Sequence, residues 1–279
     1  MIGLAVVALL CFAANSVLAR LALGPGLIDP ASFTAIRLLS GAIVLSVILR
    51  ARGGPAAANS TGRWTGAILL FLYAAPFSFA YVSLPAGTGA LLLFGAVQLT
   101  MISAGLRSGE RPHAMEWVGL MAALAGLVYL NLPGLGAPSV HGAALMLLAG
   151  GAWGLYSLRG RSGGAPLPRT SESFLFATPL GLALAAGWNA HSHLSSAGIG
   201  FAVASGAIAS GLGYAAWYSV LPRLTATRAG TIQLAVPVVA ALAGTLLIGE
   251  RVSARLALSA VAILGGVGLA ISAKARASR

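Results

Sequence analysis

Gly109-Glu110-Arg111 recurs 140 positions later as Gly249-Glu250-Arg251, and this doubled tripeptide decides how the chain is read. Each copy closes one apolar run and precedes another, in a sequence that holds only five acidic residues. Upstream, Val97-Gln98-Leu99 answers to Ile232-Gln233-Leu234, and downstream Ala125-Gly126 answers to Gly265-Gly266. Further back, Leu84-Pro85 echoes Leu221-Pro222, and Leu9-Leu10 with Arg20 echoes Leu147-Leu148 with Arg159. Self-similarity of this kind describes one structural unit written twice. The expected halves are residues 1–135 and 136–279.

Hydrophobic residues make up 58% of the chain and charged residues 8%, against the roughly 45–50% and 25% of soluble domains. Apolar runs recur at about the 20 residues that cross a hydrocarbon core. The fold class is therefore an all-α integral membrane protein embedded in a lipid bilayer. An outer-membrane barrel would show short alternating segments instead. The single Cys11 excludes a disulfide framework. The first segment lacks a basic lead-in and reads as a true span.

Pro, Gly and charge breaks divide the chain into ten expected transmembrane helices: 2–22, 31–49, 64–84, 87–107, 116–132, 139–158, 173–189, 197–220, 226–248 and 254–273. The net charge of +12 comes almost wholly from arginines between spans, which indicates membrane orientation rather than a nucleic-acid partner. With both termini in the cytoplasm, thirteen of the seventeen basic residues fall on the cytoplasmic side. The exceptions are Arg20, Arg37, Arg251 and Arg255. Five spans per half is an odd number, so the two halves enter the membrane from opposite sides. This is the inverted-topology repeat of many secondary transporters, whose site lies near the midplane between the halves.

The motifs resemble the drug/metabolite transporter superfamily, and within it the paired EamA-repeat exporters, most closely the YddG-type bacterial amino-acid exporters. The first half contributes Asn15, Arg20, Pro30, Arg37 and Gly89-Ala90-Leu91-Leu92 through Gln98 to Gly109-Glu110-Arg111. The second contributes Trp153, Gly206 through Tyr214 and Trp217, and Gln233 through Pro237 to Gly249-Glu250-Arg251. EamA repeats often carry a Trp in their first span, as Trp153 here; Ala14 stands at the matching place of span one. The resemblance implies a bacterial inner-membrane exporter of amino acids, including aromatic or apolar ones, and similar small metabolites. Transport of amphipathic toxic compounds on the same fold is the alternative, and a non-transporting scaffold is a more remote one.

Polar groups inside a membrane are costly, so each is a candidate functional position. Gln98 and Gln233 are a repeat-related pair that can donate and accept hydrogen bonds; they either contact substrate or bond between helices. Phe94 shares a helix face with Gln98. Tyr73, Tyr81, Trp153, Tyr156, Tyr214 and Trp217 are candidates for the walls of a small-molecule pocket, Trp153 foremost because it lies far from any span end. Asn15 in span one is a further candidate. Arg37 in span two is read as snorkelling to the outer surface or closing an outer gate. Pro76, Pro179 and Pro237 interrupt spans three, seven and nine as hinge candidates. The small-residue run Ser205–Gly213 allows span eight a close approach to a neighbour. The Glu-Arg pairs are expected to cap helix ends and fix turns.

Asp29, Glu110, Glu116, Glu172 and Glu250 are all placed at span ends or in loops. That pattern predicts transport without an intramembrane carboxylate relay. His191-Ser192-His193 reads as a solvated loop rather than a metal site, and Ser162-Gly163-Gly164 is no phosphate loop. No cofactor, metal or enzymatic residue set is expected. The partner is a small-molecule substrate; the sequence sets no oligomeric state, and a monomer is compatible with it.

Overall fold

A computed structural model describes residues 2–53, 62–107, 114–132, 137–161, 166–220, 233 and 235–277. Gly109-Glu110-Arg111, Ser162-Gly163-Gly164, Leu221-Pro222, Arg223, Arg228, Leu234, Arg279 and the expected start of span nine lie outside them.

Ten long helical elements stand among the described residues, with one 3-10 turn at Asn189–His191. They are α1 (Ile2–Leu23), α2 (Pro30–Ala51), α3 (Arg63–Tyr81), α4 (Ala86–Arg107), α5 (Ala114–Asn131), α6 (Val140–Arg161), α7 (Pro166–Gly187), α8 (Ser196–Val220), α9 (Ala235–Ile248) and α10 (Ala254–Ala277). Of these, α1, α2, α3 and α8 are long and apolar enough to cross a bilayer by length and composition alone. Large aliphatic side chains such as Leu39, Ile43 and Val47 on α2 and Leu258 and Val261 on α10 are exposed on the outside of the bundle. An outer surface this apolar belongs in lipid, and the protein is a multi-pass membrane protein.

Local sequence explains where the helices start and stop. Asp29 caps α2 by accepting the amides of Ala31 and Ser32, and Pro30 occupies the first turn, where its missing N–H costs nothing. The Ser195 hydroxyl accepts from Gly198 at the start of α8, and the Ser253 hydroxyl from Leu256 at the start of α10. At the end of α9, Gly249 takes φ +75°, the left-handed position that favours glycine after a helix. Several buried hydroxyls are satisfied within their own helices, as Thr34 to the Pro30 carbonyl, Ser78 to Ala74 and Thr178 to Phe174.

One helix departs from expectation. Span seven was expected from residue 173, but α7 begins at Pro166. Its polar opening turns, Thr170 to Ser173, are buried rather than looped out. Glu172 is therefore inside a helix and only 4% exposed, which corrects its expected place at a span end.

Helix packing obeys an exchange rule: adding five to a helix number in the first half gives its counterpart. Thus α2 packs on α7, α4 on α9 and α5 on α10. The contact of α3 with α6 is matched by α8 with α1, that of α4 with α6 by α9 with α1, and that of α3 with α7 by α8 with α2. The bundle has an approximate two-fold relation between its halves.

Irregular backbone occurs in α8 and α9, where residues 204–212 and 244–248 run as π-helix. Insertions of this type gather at functional positions. Pro76, Pro179 and Pro237 lie inside α3, α7 and α9.

Candidate functional site

The small residues of α8 set the site by letting two backbones meet. A Cβ on Gly206 would lie 2.2 Å from the Arg37 carbonyl and 2.0 Å from the Ser40 hydroxyl, and one on Gly213 would lie 2.7 Å from Cys11. Only glycine allows α8 this close to α2 and α1. The π-helical turn then aims two hydroxyls inward. Ser205 donates to Asn15 Oδ1 at 2.7 Å, and Ser210 accepts from Asn15 Nδ2 at 3.2 Å and from Arg37 Nε at 3.3 Å.

Arg37 does not snorkel. Its side chain is 1% exposed. Nη2 donates to the Tyr73 hydroxyl at 2.8 Å, and the guanidinium lies 5.0 Å from the Tyr73 ring centre and 4.6 Å from that of Phe77. The side chain turns into the bundle because the Gly206 contact pins its backbone and Ser210 and Tyr73 offer acceptors there.

Next to this polar cluster stands an aromatic box. Trp153 lies 4.9 Å from Tyr73, 5.0 Å from Tyr214, 5.6 Å from Tyr156 and 6.2 Å from Phe12 between ring centres. Phe12 also packs edge-on against Tyr214 and Trp217, each at 5.8 Å. Phe12, Asn15, Tyr73, Phe77, Leu93, Phe94, Trp153 and Tyr214 line a void of about 10 Å³, room for roughly one water. Its walls come from both halves: α1, α3 and α4 on one side, α6 and α8 on the other. Sites that hold metabolites occupy roughly 300 Å³ or more, so the bundle is closed around its centre. A second void, of about 30 Å³, lies beyond Tyr156 and is bordered by Arg159, Arg169, Thr170, Ser173 and Tyr218.

At the opposite end the bundle is tied shut. Arg20 Nε pairs with Glu250 Oε1 at 3.1 Å, and Arg20 Nη1 donates to the Tyr81 and Val82 carbonyls. Glu250 Oε2 accepts the Ala86 amide at 2.8 Å, capping α4.

The structure thus gathers Asn15, Tyr73, Phe94, Trp153 and Tyr214 around one void, with Tyr156 and Trp217 against its walls. Tyr81 lies toward the tied end, its hydroxyl donating to the Ala86 carbonyl. Gln98 is buried one turn beyond Phe94, and Gln233 is buried just ahead of α9. Each already holds an interaction within the bundle, and neither borders the void. Phe12, Phe77, Ser205 and Ser210 were not singled out from the sequence as site residues. The two serines were visible as polar groups in an apolar span, and Phe12 supplies the span-one aromatic that Ala14 does not. Asp29 and His193 join by backbone and carboxylate hydrogen bonds, and among the described residues no cluster of metal-ligating side chains occurs.

Residues 1–132 and again 140–272 match the EamA-like transporter family. The chain belongs to that family. It is a membrane transporter of the drug/metabolite transporter superfamily. This EamA protein is 52% identical to an uncharacterized protein of Pseudomonas aeruginosa, over 99% of its own length and 96% of the relative's. It is 27% identical to an uncharacterized transporter of Archaeoglobus fulgidus, over 67% of its own length and 68% of that protein's. A solved crystal structure shares its fold, with a TM-score of 0.68 at 23% identity, covering 98% of this chain and 99% of the other.

Proposed function

We propose that this EamA transporter exports amino acids, aromatic and apolar ones included, and similar small metabolites across a bacterial inner membrane. A cavity at the midplane is exposed alternately to the two sides. The observation that carries the reading is the aromatic box around Trp153, built jointly by both halves beside a polar cluster. Apolar and aromatic walls with a few placed polar groups are the usual make-up of a small-molecule site.

In this reading the chain crosses ten times, residues 1–135 and 136–279 form inverted halves, and both termini face the cytoplasm. The helix exchange rule and the arginine distribution support that topology. The Arg20–Glu250 tie then closes the periplasmic mouth, and the void near Arg159 and Arg169 faces the cytoplasm. Pro76, Pro179, Pro237 and the two π-helical segments are the positions at which helices bend as the halves rock. None of the residues bordering the central void is acidic, which supports movement down the substrate gradient without a carboxylate relay there.

Counterflow of labelled phenylalanine or tryptophan into proteoliposomes tests the proposal. Trp153→Ala and Tyr214→Ala, each retaining a wild-type gel-filtration profile, are expected to lose most of the uptake. Wild-type rates from both would sink the site. Efflux of amphipathic dyes without amino-acid counterflow would move the substrate to that class.

A further inference from the structure

Arg37 is a fully buried cation that meets no anion among the described residues. Among the described residues no carboxylate pairs with it: Asp29 is occupied capping α2, Glu250 holds Arg20, and Glu116 and Glu172 have interactions of their own. Its partners, the Ser210 and Tyr73 hydroxyls, are neutral. A guanidinium does not escape burial by losing its proton, and a buried ion lacking a counter-charge is strongly destabilising. The Tyr73 and Phe77 ring faces offset only part of that cost.

Two polar atoms here also lack any partner among the described residues. Arg37 Nη1 and the Tyr214 hydroxyl are buried and make no hydrogen bond. Tyr214 lines the central void, and Arg37 lies just behind that lining, its guanidinium against the rings of Tyr73 and Phe77, which border the void. Orphaned buried groups of this kind call for an explanation, and one on the wall of the void with another just behind that wall point to a ligand that completes both when the cavity opens.

We infer that Arg37 makes the central cavity an acid-reading site: the transported molecule carries a carboxylate that pairs with Arg37 Nη1 and accepts from the Tyr214 hydroxyl. This rests on the cavity being the transport site. Carboxylate oxygens match a guanidinium in charge and geometry. No acidic side chain borders the void to pair with an ammonium. The acid is therefore the required group, and the amine is dispensable.

Three compounds with one ring separate the possibilities: phenylalanine, 3-phenylpropionate without the amine, and phenylethylamine without the acid. In proteoliposomes holding the full chain, unlabelled phenylalanine and phenylpropionate are expected to inhibit labelled phenylalanine counterflow. Phenylethylamine is expected to leave it unchanged. Inhibition by phenylethylamine equal to that by phenylalanine overturns the inference without touching the transport reading.

Arg37→Gln should weaken phenylalanine binding, read by quenching of tryptophan fluorescence, by about tenfold or more, the value of hydrogen bonds to a charged group. The same variant should melt no lower than wild type, because it removes a buried charge, and Arg37→Lys should recover part of the binding. Wild-type affinity in Arg37→Gln overturns the assignment. If phenylalanine is not moved at all, the amino-acid reading falls. Quenching by the acid–amine pair then still decides this one, and quenching by the amine alone refutes it.

Discussion

Arg20 Nε and Glu250 Oε1 stand 3.1 Å apart, joining the end of α1 to the turn between α9 and α10. The pair reaches further than two residues, since Arg20 also holds the last carbonyls of α3 and Glu250 the first amide of α4. Four helices meet at one contact.

Glu250→Gln should weaken this tie by about 1–2 kcal/mol, a charge-assisted set discounted for partial exposure. A lower melting temperature in detergent is expected, and Arg20→Gln combined with Glu250→Gln should cost less than the sum of the two single changes, because both break one tie. A Glu250→Gln protein that melts as wild type would show that the contact does not hold the mouth closed.

Gly206→Ala should be poorly tolerated. The added methyl meets the Arg37 backbone, which α2 holds in place. A loss of about 1–3 kcal/mol is expected from overpacking. Gly200→Ala is the control on the same helix, because a Cβ there meets nothing within 4 Å. Comparable melting of the two variants would contradict the close approach.

Ser210→Ala removes one oxygen that serves both Asn15 and Arg37. Two buried donors lose an acceptor, at about 1–3 kcal/mol for each group left unmet. Ser205→Ala removes only a donor to Asn15 and should cost less. Thermal melts of the two variants, with uptake measured alongside, report the order.

A pH gradient imposed on vesicles should not drive substrate against its own gradient. Glu172 is the buried carboxylate that challenges this, and Glu172→Gln should keep counterflow near wild type. Uphill transport that follows the pH gradient and disappears in Glu172→Gln would assign the coupling proton to α7.

The doubled Gly-Glu-Arg made the two repeats legible, because turns and spacings survive in sequence. Its second copy also has a visible chemistry: Gly249 turns the chain so that Glu250 reaches Arg20. The site was only half legible. Trp153, Tyr73, Tyr214 and Asn15 were found as aromatic or polar groups far from span ends. Phe12 and Phe77 were not, because an apolar side chain is equally at home against lipid and against another helix. Arg37 was misdirected for a related reason, since sequence gives the depth of a residue but not its azimuth. The start of α7 was missed because Arg169 to Ser173 is as polar as a loop, yet Thr170 to Ser173 are buried.

The exchange rule among the helices has a consequence for motion. In this conformation the two ends differ: one is bolted by Arg20 and Glu250, and the other keeps a small chamber beside Arg159. Because each helix has a twin five places along, that difference is a choice of which half adopts which shape. Let α1–α5 and α6–α10 trade shapes, and the bolt and the chamber change ends. In the alternating cycle proposed above, that trade is the move that would open the bolted end and close the other.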